Sequence, residues 1–155
     1  MAIEQIICKK EVPEIIPSNI CIRYAAQTCT LSNGMKISEA TIKEILENIQ
    51  NGTYRSLYLS LDEDGEGGYL QMESGEDDIF LQICADFEGT VWYSCFDPDY
   101  IDSDEESPII PSDGQSIIIK KYTMHDLSLA VKCVEWYIRT GSPYPGMDWI
   151  KCSIV

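Results

Sequence analysis

Two apolar stripes at helical spacing enclose a run of short segments with period-two alternation, and this pattern constrains the fold more than any other feature. The first stripe is Ile42, Ile45, Leu46 and Ile49, at i, i+3, i+4 and i+7. Ser38 stands where an N-cap belongs, Glu39 follows at the positive end of the dipole, and Gly52 supplies the stop, so the pattern predicts a helix over 38–51. Lys43, Glu44 and Glu47 fall on its wet face. The second stripe is Leu127, Ala130, Val131, Val134, Tyr137 and Ile138, closed by Gly141 and Pro143. Thr123 is the expected cap of that helix, with Asp126 three residues on and His125 in its first turn.

Between the stripes, Leu57, Leu59 and Leu61 alternate with Ser56, Tyr58 and Ser60, which places the three leucines on one face of a strand over 54–61. Further strands are expected at 69–73, 79–86 and 90–96, the last two joined through Phe87-Glu88-Gly89. Short connections between neighbouring strands imply an antiparallel meander. Short strands are also expected over 115–120 and 149–154, and the alternation of Ile20, Ile22 and Tyr24 suits one near the start. The segment 97–114, with three prolines and seven acids, reads as a long irregular loop, functional or mobile. The expected architecture is α+β: one domain over 1–155, with an antiparallel β-meander packed against two main α-helices as a single pair of layers.

Charge is the strongest indicator of function. The 155 residues carry 26 acidic and 11 basic side chains, a net charge of −15. From Ser56 to Ile119 there is no Lys, Arg or His, while 17 Asp and Glu fall in that stretch. Such a field repels nucleic acid and anionic membrane surfaces and raises the encounter rate with basic proteins. No apolar run approaches the ~20 residues that span a bilayer, and no basic start followed by an apolar run marks an export signal. A cytoplasmic protein is therefore expected.

Catalysis finds little support. His125 is the only histidine, no Cys or Ser close to it in sequence suggests a nucleophile pair, and phosphate-binding glycine loops are absent. The seven cysteines, at 8, 21, 29, 84, 95, 133 and 152, are odd in number and include no CxxC. They read as buried free thiols, neither a disulfide framework nor a zinc site. Asp62 to Glu73 approximates a twelve-residue calcium loop, with acids at positions one, three, five and twelve and glycine at six. Its flanks alternate as strands where that loop needs helices, so the expectation is an acidic hairpin, with no metal and no cofactor. Trp92, Trp136 and Trp149 read as core, with Trp136 the one that borders a surface.

The last third has a recognisable layout. Asp113-Gly114 precedes an apolar run at Ile117–Ile119, then Met124, a helix over 127–140, Thr140-Gly141-Ser142-Pro143 and Trp149. This resembles the "Imm-one" family of bacterial polymorphic-toxin immunity proteins, with Ala130, Val131, Tyr137, Gly141, Pro143 and Trp149 at the corresponding positions. The likeness extends over most of 37–149, leaving the N-terminal 35 residues unplaced. The resemblance implies a cytosolic inhibitor that binds a cognate toxin domain, with no catalytic residue of its own and no small-molecule substrate. Nucleases and nucleic-acid deaminases, whose grooves are basic, are the implied targets.

Three acidic loops, 62–66, 76–78 and 97–106, are then the expected cover for a toxin cleft. The partner-binding residues read from them are Asp62, Glu63, Asp64, Glu66, Asp97, Asp99, Asp102, Asp104, Glu105 and Glu106, with Tyr100 and Ile101 as apolar anchors. The alternative is an acidic interaction or adaptor domain whose basic partner is unrelated to toxins.

Overall fold

The computed structural model describes residues 2–27, 35–63, 67–86 and 89–154. Its strands are β1 (Ala2–Ile7), β2 (Tyr24–Ala26), β3 (Met35–Lys36), β4 (Ser56–Ser60), β5 (Tyr69–Ser74), β6 (Ile79–Cys84), β7 (Val91–Ser94), β8 (Thr123–Met124) and β9 (Trp149–Ile154). The two helices are α1 (Glu39–Gln50) and α2 (Leu127–Thr140). The strands form one antiparallel sheet in the order β1-β9-β7-β6-β5-β4-β2-β3, and β8 pairs beside the start of β6. The α+β class and the central meander β4–β7 are as the alternation requires.

Both helices cover one face. Ile42, Ile45 and Ile49 of α1 and Ala130, Cys133, Val134, Tyr137 and Ile138 of α2 share a core with Leu57, Leu59, Leu70, Met72, Leu81 and Ile83 of the sheet. Ser38 caps α1 through its hydroxyl and exchanges a second bond with Thr41, so the box closes with threonine at its third position. Gly141 ends α2 in the left-handed region, at φ 73°, which a glycine adopts without a Cβ penalty. Glu39, in the first turn of α1, accepts 2.6 and 2.9 Å bonds from Arg139, in the last turn of α2. Each charge opposes its own helix dipole and ties the two helix ends together.

The opposite face of the sheet has a smaller core. Phe80 is packed with Ile109, Ile118 and Tyr122, all from the segment that follows β7. That segment is irregular as expected but seated on the sheet. Its neck closes where Ser107 N donates to Ile118 O (2.8 Å) and Lys120 N donates to Glu105 O (2.8 Å). Asp113 holds the far turn by accepting from Gln115 N and Ser116 N. Glu73 pins it from below. This residue is only 2 % exposed, and its carboxyl group accepts from Ser56 Oγ, from Ser112 Oγ (2.9 Å) and N (3.2 Å), and from Gln71 Nε2 (3.3 Å).

Several sequence expectations are corrected. Thr123 does not cap α2: it is buried in β8, opposite Phe80, and its hydroxyl donates to Lys120 O, so Asp126 caps the helix by accepting from Leu129 N. His125 consequently precedes the helix. No strand forms over 115–120, because the loop neck needs those residues for one bridge, Glu106 to Ile119, and a 3₁₀ turn at 120–122. Leu61 is 43 % exposed, since β4 ends at Ser60 and the alternation no longer governs it. The expected early strand is displaced to β2, while Cys21 N and Ile22 N donate instead to Ile138 O at the end of α2. Cys84, Cys95 and Cys133 are buried thiols as read, but Cys8 and Cys21 are exposed and Cys152 is half-buried; Cys29 lies outside the described residues. Trp149 is core, whereas Trp92 and Trp136 are half-buried, the latter edge-on to Tyr144 at 5.9 Å.

Candidate functional site

A meander reverses at each turn, so successive connections lie at alternate ends of the sheet. The β4–β5 and β6–β7 connections share one end, where Ser60, Tyr69, Cys84 and Trp92 align in register. The β5–β6 turn lies at the other, where Ser74 meets Ile79 and Ile79 meets Met124. Six-residue β5 separates the two ends by roughly 20 Å. The three acidic loops are therefore divided. Asp62 and Glu63 sit at the first end, near Asp86; Asp64 and Glu66 lie outside the described residues. Glu76, Asp77, Asp78 and Asp97 converge at the second.

His125 draws that second cluster together. Its Nδ1 is 2.9 Å from Asp77 O and 3.1 Å from Asp78 Oδ1, and its Nε2 is 2.9 Å from Asp97 Oδ2. Both ring nitrogens face acceptors only, an arrangement that an imidazolium satisfies and a neutral ring with one N–H does not. The hydrogen bond to Asp77 and the carboxylates of Asp97 and Asp78 accordingly raise its pKa above the ordinary value of 6.5. A raised folded-state pKa gives stability that is complete below the unfolded value and is lost as pH climbs through the folded one. Thermal melts should therefore show a decline in Tm as pH rises above about 6.5, and His125→Gln should remove that part of the slope. An unaltered slope in the variant would refute the assignment.

The turn at 74–78 forms a ridge between two open grooves. One, of about 490 Å³, runs between Glu76, Asp77 and Asp78 on one wall and Pro108 and Ile110 on the other. The second, of about 430 Å³, is bounded by Ile49, Ile79, His125 and Leu127. Arg55 lines both grooves, and His125 lines the second only.

From Asp97 the chain enters a 3₁₀ turn at Pro98–Tyr100, capped when the Asp97 carboxylate accepts from Asp99 N. Asp99, Asp102, Asp104, Glu105 and Glu106 are exposed. Glu105 pairs with Lys120 at 2.7 Å, and that ammonium also lies 5.0 Å over the Tyr100 ring. Tyr100 and Ile101 are half-buried, and the Tyr100 face already has a cation. The prominent apolar side chains of this region are Ile110 and Ile117, 83 % and 65 % exposed, which the sequence reading missed. Their signal was available in the doublets Ile109-Ile110 and Ile117-Ile118. Each doublet supplies one side chain to the small core around Phe80 and leaves its neighbour outside.

The thiols of Cys95 and Cys133 are pushed up by burial, Cys95 to about 12, which leaves both protonated at neutral pH. No group of three or more His, Cys, Asp or Glu among the described residues is placed to hold a metal ion, and no helix among them is long and apolar enough to cross a membrane. Comparison with family models, with curated proteins and with solved structures finds no match to the chain.

Proposed function

We propose that the chain is a cytoplasmic inhibitor that acts by binding, not by catalysis, and that its target is a basic toxin domain such as a nuclease or a nucleic-acid deaminase. The supporting observation is the second end of the sheet, where Glu76, Asp77 and Asp78 adjoin the exposed side chain of Ile110, and where Asp97, joined to Asp78 through His125, leads into the exposed acids of 99–106. An apolar contact amid one sign of charge suits a basic cleft, giving an encounter rate from the field and a lifetime from the buried anchor. Resemblance to toxin-immunity proteins selects toxins among basic proteins. The first end, some 20 Å away, then faces solvent, so Asp62 and Glu63 contribute to the general field and not to contact.

The test is a pull-down with the toxin domain encoded beside this gene, at low and high salt, followed by stopped-flow kinetics. A stoichiometric complex that abolishes toxicity is expected. Replacing Asp99, Asp102 and Asp104 together by lysine should slow association by about tenfold at low salt, and replacing Asp62 and Glu63 should do much less. Equal effects at the two ends would remove the assignment of the surface. A chain that forms no complex would remove the function itself.

A further inference from the structure

β1 is the exposed strand at one end of the sheet. β1 bonds to β9 on one side, and among the described residues no strand lies on its other side. A free edge of this kind carries unpaired backbone donors and acceptors, and proteins usually blunt it with lysine, proline, a bulge or a covering loop. Ala2–Ile7 contains no lysine and no proline, and its register against β9 runs without a bulge. Its only charge, Glu4, is turned back onto its own molecule by Lys121 Nζ (2.8 Å) and Tyr122 OH (2.6 Å). Ile3, Ile6 and, on the adjoining strand, Ile154 are 51 %, 52 % and 51 % exposed.

Charge identifies the occupant. All 17 acids of the base-free stretch lie between Ser56 and Ile119, and the rest of the chain carries nine acids and eleven bases. Lys9, Lys10, Lys121 and Lys151 are on or near the β1–β9 edge, against Glu4, Glu11 and Asp148. An acidic partner copy, repelled elsewhere, meets a balanced surface here.

We propose that β1 pairs antiparallel with β1 of a second copy, joining two sheets across a two-fold axis. Residues facing each other across antiparallel strands project to the same side, which restricts the register. One symmetric choice sets Glu4 against Glu4, a like-charge pair. The next sets Gln5 against Gln5, Ile3 against Ile7 and Ile6 against Glu4, and this is the pairing proposed. The interface is isologous and closes at two copies.

Sedimentation equilibrium of the full chain at low and high salt tests it. A dimer is expected, and its population should rise with salt, because screening relieves the repulsion between two charges of −15 and leaves the edge bonds intact. Ile3→Lys, at an exposed position, should weaken the dimer at least about tenfold, while Ile15→Lys, 84 % exposed and away from the edge, should leave it unchanged. Circular dichroism confirms that each variant is folded. Gln5→Cys should give disulfide-linked dimers under mild oxidation well above the parent level, since the two thiols face each other at the axis. A monomer at every concentration and salt would overturn the proposal. So would a dimer that survives Ile3→Lys, or a Gln5→Cys variant that links no better than the parent. A chain that stays monomeric alone and takes a strand from a different protein at this edge overturns it equally.

Discussion

Glu73→Ala is expected to lower the free energy of unfolding by roughly 3 kcal/mol. The carboxyl group is 2 % exposed and accepts from Ser56, Gln71 and both the backbone and hydroxyl of Ser112. Alanine removes the acceptor and leaves buried donors behind, and each such orphan costs about 1–3 kcal/mol. The loss should also be local. Ser112 belongs to the loop that carries Ile109 and Ile118 onto Phe80, so hydrogen exchange should accelerate over 107–118 by more than it does in the meander. Glu73→Gln, which keeps one acceptor but adds donors facing donors, should fall between the two. Urea unfolding supplies the check. A shift under about 0.5 kcal/mol in the alanine variant would mean that the loop is held by its apolar contacts alone.

A second large effect is expected at Trp149. It is 2 % exposed and belongs to the main core, and its indole N–H donates to Tyr144 O at 2.8 Å. Truncation to alanine in a close-packed core should cost about 3–5 kcal/mol. Phenylalanine retains much of the volume but strands the Tyr144 carbonyl, and should cost about 1–2 kcal/mol. The two variants separate packing from hydrogen bonding. Equal losses from both would show that the bond carries the site and the volume does not. Because Trp149 opens β9, which joins β7 to β1, the alanine variant should also loosen β1 before the meander.

Much of this architecture is legible in the residues, for identifiable reasons. Helix α1 could be bounded within a residue because Ser38 and Gly52 are strong signals on either side of an unbroken stripe. The meander was readable because its connections are short. The start of α2 was misread because Thr123 and Asp126 are both good caps, and only tertiary structure shows that the threonine hydroxyl is committed to Lys120 O. The apolar run 117–119 looks like a strand locally, but a loop neck and a small second core claim it. The candidate surface is divided between the two ends of the sheet. Alternation of turn direction in a meander already separates the loop at 62–66 from the turn at 76–78, and grouping acids by charge alone overlooked it. His125 could not be read at all, since its partners Asp77, Asp78 and Asp97 are 28 to 48 residues distant in sequence and meet only at the end of the sheet.

The pairing of the first described strand with the last has a consequence during synthesis. Ile3 is registered with Ser153 and Ile7 with Trp149, so β1 waits for a strand made about 140 residues later. The meander has mostly local contacts and can assemble while translation continues, whereas α1 needs α2 for its packing and β1 needs β9. Through that interval Ile3, Ile6 and Ile7 form an apolar, strand-prone segment with no edge to join. A slow codon run or a truncation before Trp149 should therefore leave the meander with β1 unpaired.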